Sequence, residues 1–177
     1  YWMGDIYFKG QDYEKALESY QKILDDHPAS KYSGYAIYSK AWAYYKLGFL
    51  EDAIIAFGEV VSKYNFEKIG MESLFKIGEC EYLLGRYKDA KRSLNGFIEK
   101  YPLSERTAES YYLMGDAGFK QGEYNDSIKY FNRAMSISPG SKWYGFALYR
   151  TAQGYLKTND YDESVKRFAE CRKNSKN

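Results

Sequence analysis

The chain has 177 residues, 45% of them apolar and 28% charged, enough to fill a core and still present a surface of mixed sign. Twenty-six Lys and Arg against 24 Asp and Glu leave a formal charge of +2, which supplies little of the long-range field that nucleic-acid binding depends on. No run approaches the roughly 18 consecutive apolar residues of a membrane-spanning helix, and two cysteines with one histidine leave little for metal or nucleophile chemistry.

One residue pattern returns every 37 positions from end to end, predicting a single array over residues 1–177 with five copies. The first copy, about residues 1–30, sets small Gly4 and Ala16 among bulky Tyr13 and Tyr20 and closes on His27-Pro28-Ala29-Ser30. The second, about 31–67, predicts a helix beginning between Lys31 and Tyr35. It repeats the small pair as Ala41 and Ala53 and the large pair as Leu50 and Phe57, with Gly48 at a helix end. Its closing turn carries Asn65 and Glu67 where other copies have proline and serine, so it is the least regular. The third, about 68–104, has Gly78, Gly85, Tyr87, Ala90 and Leu94 in these places and ends Tyr101-Pro102-Leu103-Ser104. The fourth, about 105–141, has Gly115, Gly122, Tyr124, Ser127 and Phe131, then Pro139 and Ser141. The fifth, about 142–177, has Ala152, Asn159, Tyr161, Ser164 and Phe168.

The spacing within a copy is helical: Tyr124, Ile128, Phe131 and Met135 advance by four, three and four and so share one helix face. A glycine inside a helix costs about 1 kcal/mol against alanine and needs a packing reason, so the two small columns mark close approach of neighbouring helices. The column Gly48, Gly85, Gly122 and Asn159 suits a C-terminal cap. Pro28, Pro102 and Pro139 stop the outgoing helix, and Ser30, Ser104 and Ser141 are placed to cap the next. Cys80 and Cys171 lie 91 residues apart, too far along a stacked array for the Cα separation under ~7 Å that a disulfide requires; both are read as packing residues.

These columns resemble the tetratricopeptide repeat. Leu74, Ile77, Gly78, Tyr87, Ala90, Leu94 and Pro102 of the third copy fall where that helix–turn–helix pattern places large, large, small, aromatic, small, large and proline. The period exceeds the usual ~34 residues, lengthening each junction. The resemblance implies an all-α fold, a right-handed α-solenoid of five helix–turn–helix repeats, whose concave side binds partners. The phrases Tyr101-Pro102-Leu103-Ser104 and His27-Pro28-Ala29-Ser30 are similar to repeats of bacterial envelope proteins, such as the outer-membrane assembly lipoproteins and the Tol–Pal coordinating protein. Tyr1 aligns with Tyr38, inside a predicted helix, and Asn177 with Gly140, with no capping helix after it, so the chain is expected to be a piece of a longer protein.

By the same resemblance, the groove is faced by two aromatic ladders: Tyr1, Tyr38, Phe75, Tyr112 and Tyr149, and Phe8, Tyr45, Tyr82, Phe119 and Leu156. Between them run Asp5, Trp42, Glu79, Asp116 and Gln153, beside Lys9, Lys46, Leu83, Lys120 and Lys157. The residues expected to contact a partner are Tyr38, Trp42, Tyr45, Phe75, Glu79, Tyr82, Tyr112, Asp116, Phe119 and Tyr149, because aromatic rings supply large contact area at low entropic cost. The competing expectation is that the ladders only pack against neighbouring helices. Trp42 breaks its otherwise polar column and is the expected anchor. Co-chaperones of the family that clamp a terminal carboxylate carry Lys and Asn in these columns; here acidic Glu79 and Asp116 would repel one, so a segment with apolar and basic residues fits better, a preference that Lys9, Lys46, Lys120 and Lys157 blunt.

The function expected is a non-enzymatic interaction module that binds a protein or peptide segment and scaffolds a larger assembly, in a bacterial envelope or periplasm with the cytoplasm as the alternative. A self-associating scaffold and the targeting arm of an enzyme encoded outside this stretch are the competing readings. No cofactor, metal, nucleic acid or membrane insertion is expected: P-loop, GxGxxG and Cys/His clusters are absent. His27, before Pro28 at a helix end, is read as facing the helix dipole. Lys166, Arg167, Arg172, Lys173 and Lys176 are read as the solvated face of the last helix.

Overall fold

The computed structural model describes residues 1–64 and 67–174, with Glu67 described by its backbone alone. All regular secondary structure among them is helical: α1 (Trp2–Lys9), α2 (Tyr13–Asp26), α3 (Ser33–Leu47), α4 (Leu50–Lys63), α5 (Glu67–Leu83), α6 (Tyr87–Lys100), α7 (Thr107–Lys120), α8 (Tyr124–Ile137), α9 (Lys142–Lys157) and α10 (Tyr161–Asn174). Each copy of the pattern thus supplies two helices.

The helices group into two compact units, Tyr1–Leu84 and Gly85–Asn177, divided in the turn between the helices of the third copy. In the first unit α1 to α5 pack in succession, and α3 also reaches α5. In the second unit α6 to α10 do the same, and α7 reaches α9.

The small columns are the seats of the large ones. In the first unit a Cβ on Gly4 would stand 2.5 Å from Tyr20 Cε1; in the second, one on Gly115 would stand 2.6 Å from Phe131 Cε1. In these two copies the ring of the second helix therefore rests on the backbone of the first, and burying such a ring is worth about 2–3 kcal/mol. Ala16, Ala53, Ala90, Ser127 and Ser164 are all buried. Around Phe57 the first unit gathers Ile37, Ala41, Ala53, Val60 and Cys80; around Phe131 the second gathers Ala134, Met135, Ala147 and Leu148. Cys80 and Cys171 are free thiols, and burial pushes that of Cys80 up to about 12.

The first turn of each copy holds a residue in the left-handed region, as the capping column predicts: Gly48, Gly85 and Gly122 at φ 75 to 80°, and Asn159 at φ 62°. Gln11 takes the same conformation at φ 62° in the first copy, where glycine would be unstrained.

The second turn differs from expectation. Ser30 and Ser104 do not cap the following helices; their Oγ atoms accept from the amides of Tyr32 and Arg106 (3.2 Å each), two residues on. Ser141 Oγ donates to Ser138 O instead. The tie across the turn comes three residues later, where Ser33 Oγ donates to His27 O (3.1 Å) and Thr107 Oγ1 to Tyr101 O (3.2 Å). These bonds satisfy carbonyls that a helix C-terminus leaves unpaired. Asn65 of the irregular turn lies outside the described residues, as does the side chain of Glu67.

Candidate partner-binding surface

In the first unit the columns lie on α1, α3 and α5. A cavity of about 390 Å³ opens between Asp5, Phe8 and Lys9 of α1 and Tyr38, Ser39, Trp42 and Lys46 of α3, with Tyr20 of α2 also in its wall. Tyr20 Oη donates to Asp5 Oδ1 (2.8 Å); burial, together with this bond and the Asp5 charge, raises the Tyr20 phenol above its ordinary value. Ser39 Oγ and Tyr1 Oη are 3.3 Å apart.

Trp42 lines that cavity and is held edge-on by Tyr45 at 5.6 Å, Phe57 at 6.0 Å and Tyr38 at 6.3 Å between ring centres. Lys76 of α5 lies over it: its Nζ is 4.7 Å from the Trp42 ring centre and 4.5 Å from that of Tyr45. The buried Lys76 ammonium also pairs with Glu79 on the same helix. Tyr82 remains partly exposed.

The second unit has a related arrangement on α7 and α9. Asp116 is only 3% exposed; it pairs with Arg150 of α9 and stands 3.7 Å from Lys120 Nζ. The Arg150 guanidinium lies 4.9 Å from the Phe119 ring centre and donates to Gln153 Oε1 (3.1 Å). Tyr112 packs among Phe131, Trp143 and Phe146 at 5.7, 5.1 and 6.1 Å. Tyr149 is half-exposed, its hydroxyl accepting from Gln153 Nε2 and its ring 5.8 Å from that of Phe168.

Two of the residues expected to meet a partner present almost no surface. Phe75 is completely buried and works as core, and Asp116 is spent on Arg150 and Lys120. Glu79 is likewise engaged internally by Lys76. The acidic row is therefore largely neutralised from within, and the residues that do so, Lys76 and Arg150, were not singled out from the sequence. Their signal was a spacing between copies: each lies 34 residues after the groove residue it meets, Trp42 or Asp116.

Elsewhere, Lys166 and Arg167 of the C-terminal basic cluster are paired with Glu163 and Glu170 on their own helix; Lys176 lies outside the described residues. Exposed His27 ends α2 as its C-cap. Among the described residues, no group of three or more His, Cys, Asp or Glu could hold a metal ion, and no helix is long and apolar enough to cross a membrane.

Models described as tetratricopeptide repeat match residues 106–177, and residues 1–30 and 72–104. No curated protein matches the chain at a significant level. Among solved structures, a crystal structure of MamA is 22% identical, covers 98% of this chain and 94% of its own, and superposes with a TM-score of 0.82. MamA from Desulfovibrio magneticus RS-1, residue 41 to its end, is 17% identical over 97% of this chain and 90% of its own, with a TM-score of 0.79. A putative kinesin light chain from Podosopora anserina with nearly identical TPR-like repeats is 12% identical, over 96% and 90%, with a TM-score of 0.71. At these identities the likeness is one of fold.

Proposed function

Because the chain belongs to the tetratricopeptide repeat family, whose general work is protein–protein interaction and scaffolding, we propose that it is a non-enzymatic module that seats a segment of a partner against its first-helix faces. The single observation that carries this reading is the cavity of about 390 Å³ beside Trp42. It is of the size that ligand sites occupy, about 300–1,000 Å³, and it is walled by aromatic rings with a few polar groups among them. Trp42 is the anchor: large, partly exposed and fixed by three neighbouring rings, so little entropy is lost when a partner covers it. Tyr38, Tyr45 and Tyr82 extend the surface in the first unit, and Tyr112, Phe119 and Tyr149 form its counterpart in the second. A segment with apolar residues suits the cavity, whose aromatic wall also carries the charged groups of Asp5, Lys9 and Lys46.

The assembly it serves is proposed to belong to a bacterial envelope, a placement supported by the Pro-x-Ser turns at Pro28 and Pro102. The test is a comparative pull-down from native extract with the parent and a Trp42→Ala, Tyr82→Ala double variant of equal helical circular dichroism. A partner kept by the parent and lost by the variant supports the reading, and that partner's location reports the compartment. Identical capture by both rejects the aromatic surface. A self-associating scaffold is the second reading, favoured by the exposed apolar Trp2, Met3 and Ile6 of α1; sedimentation that depends on protein concentration and vanishes when Trp2 and Ile6 become Ser would support it.

A further inference from the structure

We propose that the cavity between α1 and α3 is the seat of one arginine side chain of a partner polypeptide, a proposal that rests on the interaction reading above and gives its partner a chemistry. The chain contains its own version of the filled site. Three copies on, Asp5, Phe8, Lys9, Tyr38 and Lys46 recur unchanged as Asp116, Phe119, Lys120, Tyr149 and Lys157. Of the other residues lining the cavity, Tyr20 becomes Phe131, Trp42 becomes Gln153 and, decisively, Ser39 becomes Arg150. In the second unit that guanidinium occupies the space beside Asp116 and over Phe119. In the first unit the short Ser39 side chain leaves the corresponding space open, and the cavity lies there.

Lys76 gives an independent second instance. It stands one copy after Ser39 and places its ammonium over Trp42 and Tyr45, the residues one copy after Asp5 and Phe8. Twice, then, the fold puts a cation from one copy onto the acid and aromatic positions of the copy before it. Only between the first two copies does the same position carry a small neutral residue beside an acid: Asp5 keeps its carboxylate at the cavity wall, with one oxygen accepting from Tyr20. An external cation completes the arrangement that Arg150 and Lys76 complete internally.

Lys9 and Lys46 also line the cavity and weaken its attraction for a cation. The equivalent of Lys9, Lys120, stands at the filled site, its Nζ 3.7 Å from Asp116, so a lysine at that position does not bar a guanidinium. Arginine fits better than lysine because its planar head forks onto a carboxylate and stacks on aromatic faces. Trp42, which replaces the polar Gln153 of the fifth copy, adds the ring that binds cations best. The neighbouring Phe8 and Tyr38 favour apolar residues on either side of the arginine.

The full chain would be titrated with acetyl-Leu-Arg-Leu-amide and with its Gln and Glu counterparts, following backbone and indole resonances by nuclear magnetic resonance. The expected result is saturable perturbation confined to the α1–α3 cavity, about tenfold weaker for the Gln peptide, as a charged hydrogen bond implies. Asp5→Asn should weaken the Arg peptide by a similar factor, while Ser39→Arg, which supplies the plug from within as Arg150 does, should abolish binding with unchanged circular dichroism. Equal binding of the Gln peptide, tighter binding of the Glu peptide, no saturation with the Arg peptide, or undiminished binding by Ser39→Arg each overturns the proposal. Self-association of the parent that Ser39→Arg abolishes would put a second copy in the cavity and overturn it too. A native partner lost by the Trp42 and Tyr82 variant but kept by Ser39→Arg would remove the arginine seat and leave the interaction reading standing.

Discussion

Lys76 Nζ lies 4.7 Å from the centre of the Trp42 ring, joining the first helix of one copy to that of the next. The contact is worth more than a surface cation–π pair because Lys76 is buried and its partner carboxylate Glu79 is mostly covered. Lys76→Met keeps the apolar stem, removes the ammonium and leaves Glu79 unpaired; the expected loss is about 1–3 kcal/mol in urea unfolding. Adding Glu79→Gln should return part of it. If the double variant is no more stable than Lys76→Met, the ion pair contributes nothing and the aromatic contact alone accounts for the loss.

Ala90 is fully buried, so Ala90→Leu inserts volume where there is none and should cost about 1–3 kcal/mol. Arg92→Leu on the exposed face of the same helix should change stability by less than about 0.5 kcal/mol. Melting temperatures of the two variants settle the matter: an Ala90→Leu protein that melts with the parent contradicts the packing of that column.

Gly4, Ala41 and Gly115 revealed the fold because smallness at a repeated helix position has few causes other than a neighbour at contact distance, and the structure supplies that neighbour in Tyr20 and Phe131. The groove was less legible. Aromatic identity does not say whether a ring faces solvent or core, so Phe75, equivalent to the half-exposed Tyr149, was expected at the surface and is wholly buried. Asp116 was misjudged for a different reason: its charge is cancelled by Arg150, a residue in the next copy, and column-by-column reading does not connect positions 34 apart. The serine turns show the same limit on a smaller scale, since Ser30 and Ser33 both suit a helix start and only geometry chooses which oxygen serves which carbonyl.

Gln11 and Asn159 occupy the left-handed turn position that glycine holds in the other three copies. A side chain costs about 1–2 kcal/mol there, less for asparagine, which hydrogen-bonds locally. Against this, glycine loses more backbone entropy on folding. Gln11→Gly should therefore gain up to about 1 kcal/mol and Asn159→Gly close to nothing, while Gly122→Ala, placed at φ 80°, should lose about 1 kcal/mol. Urea midpoints in that order would bear out the turn geometry; a destabilised Gln11→Gly would contradict it.

Cys80 makes stability depend on alkaline pH. Burial raises its thiol from an ordinary value of 9.0 to about 12, so below pH 9 the group is protonated in both states and contributes nothing to the pH dependence. Between pH 9 and about 12 the unfolded chain releases the proton while the folded chain keeps it. The unfolded state then binds fewer protons, and stability falls as pH rises, by at most about 1.4 kcal/mol per pH unit for this one group. Tyr20, Tyr44 and Tyr112, also raised by burial, add to the decline above pH 10. Cys80→Ala should lower stability near neutrality through the small cavity it leaves, yet flatten the fall above pH 9; Cys171→Ala, at a less buried thiol raised by the same cause, should flatten it less. Urea unfolding of the three proteins from pH 8 to 11 tests this directly, and a Cys80→Ala slope parallel to the parent's would mean that the thiol ionises as readily in the folded chain as in the unfolded one.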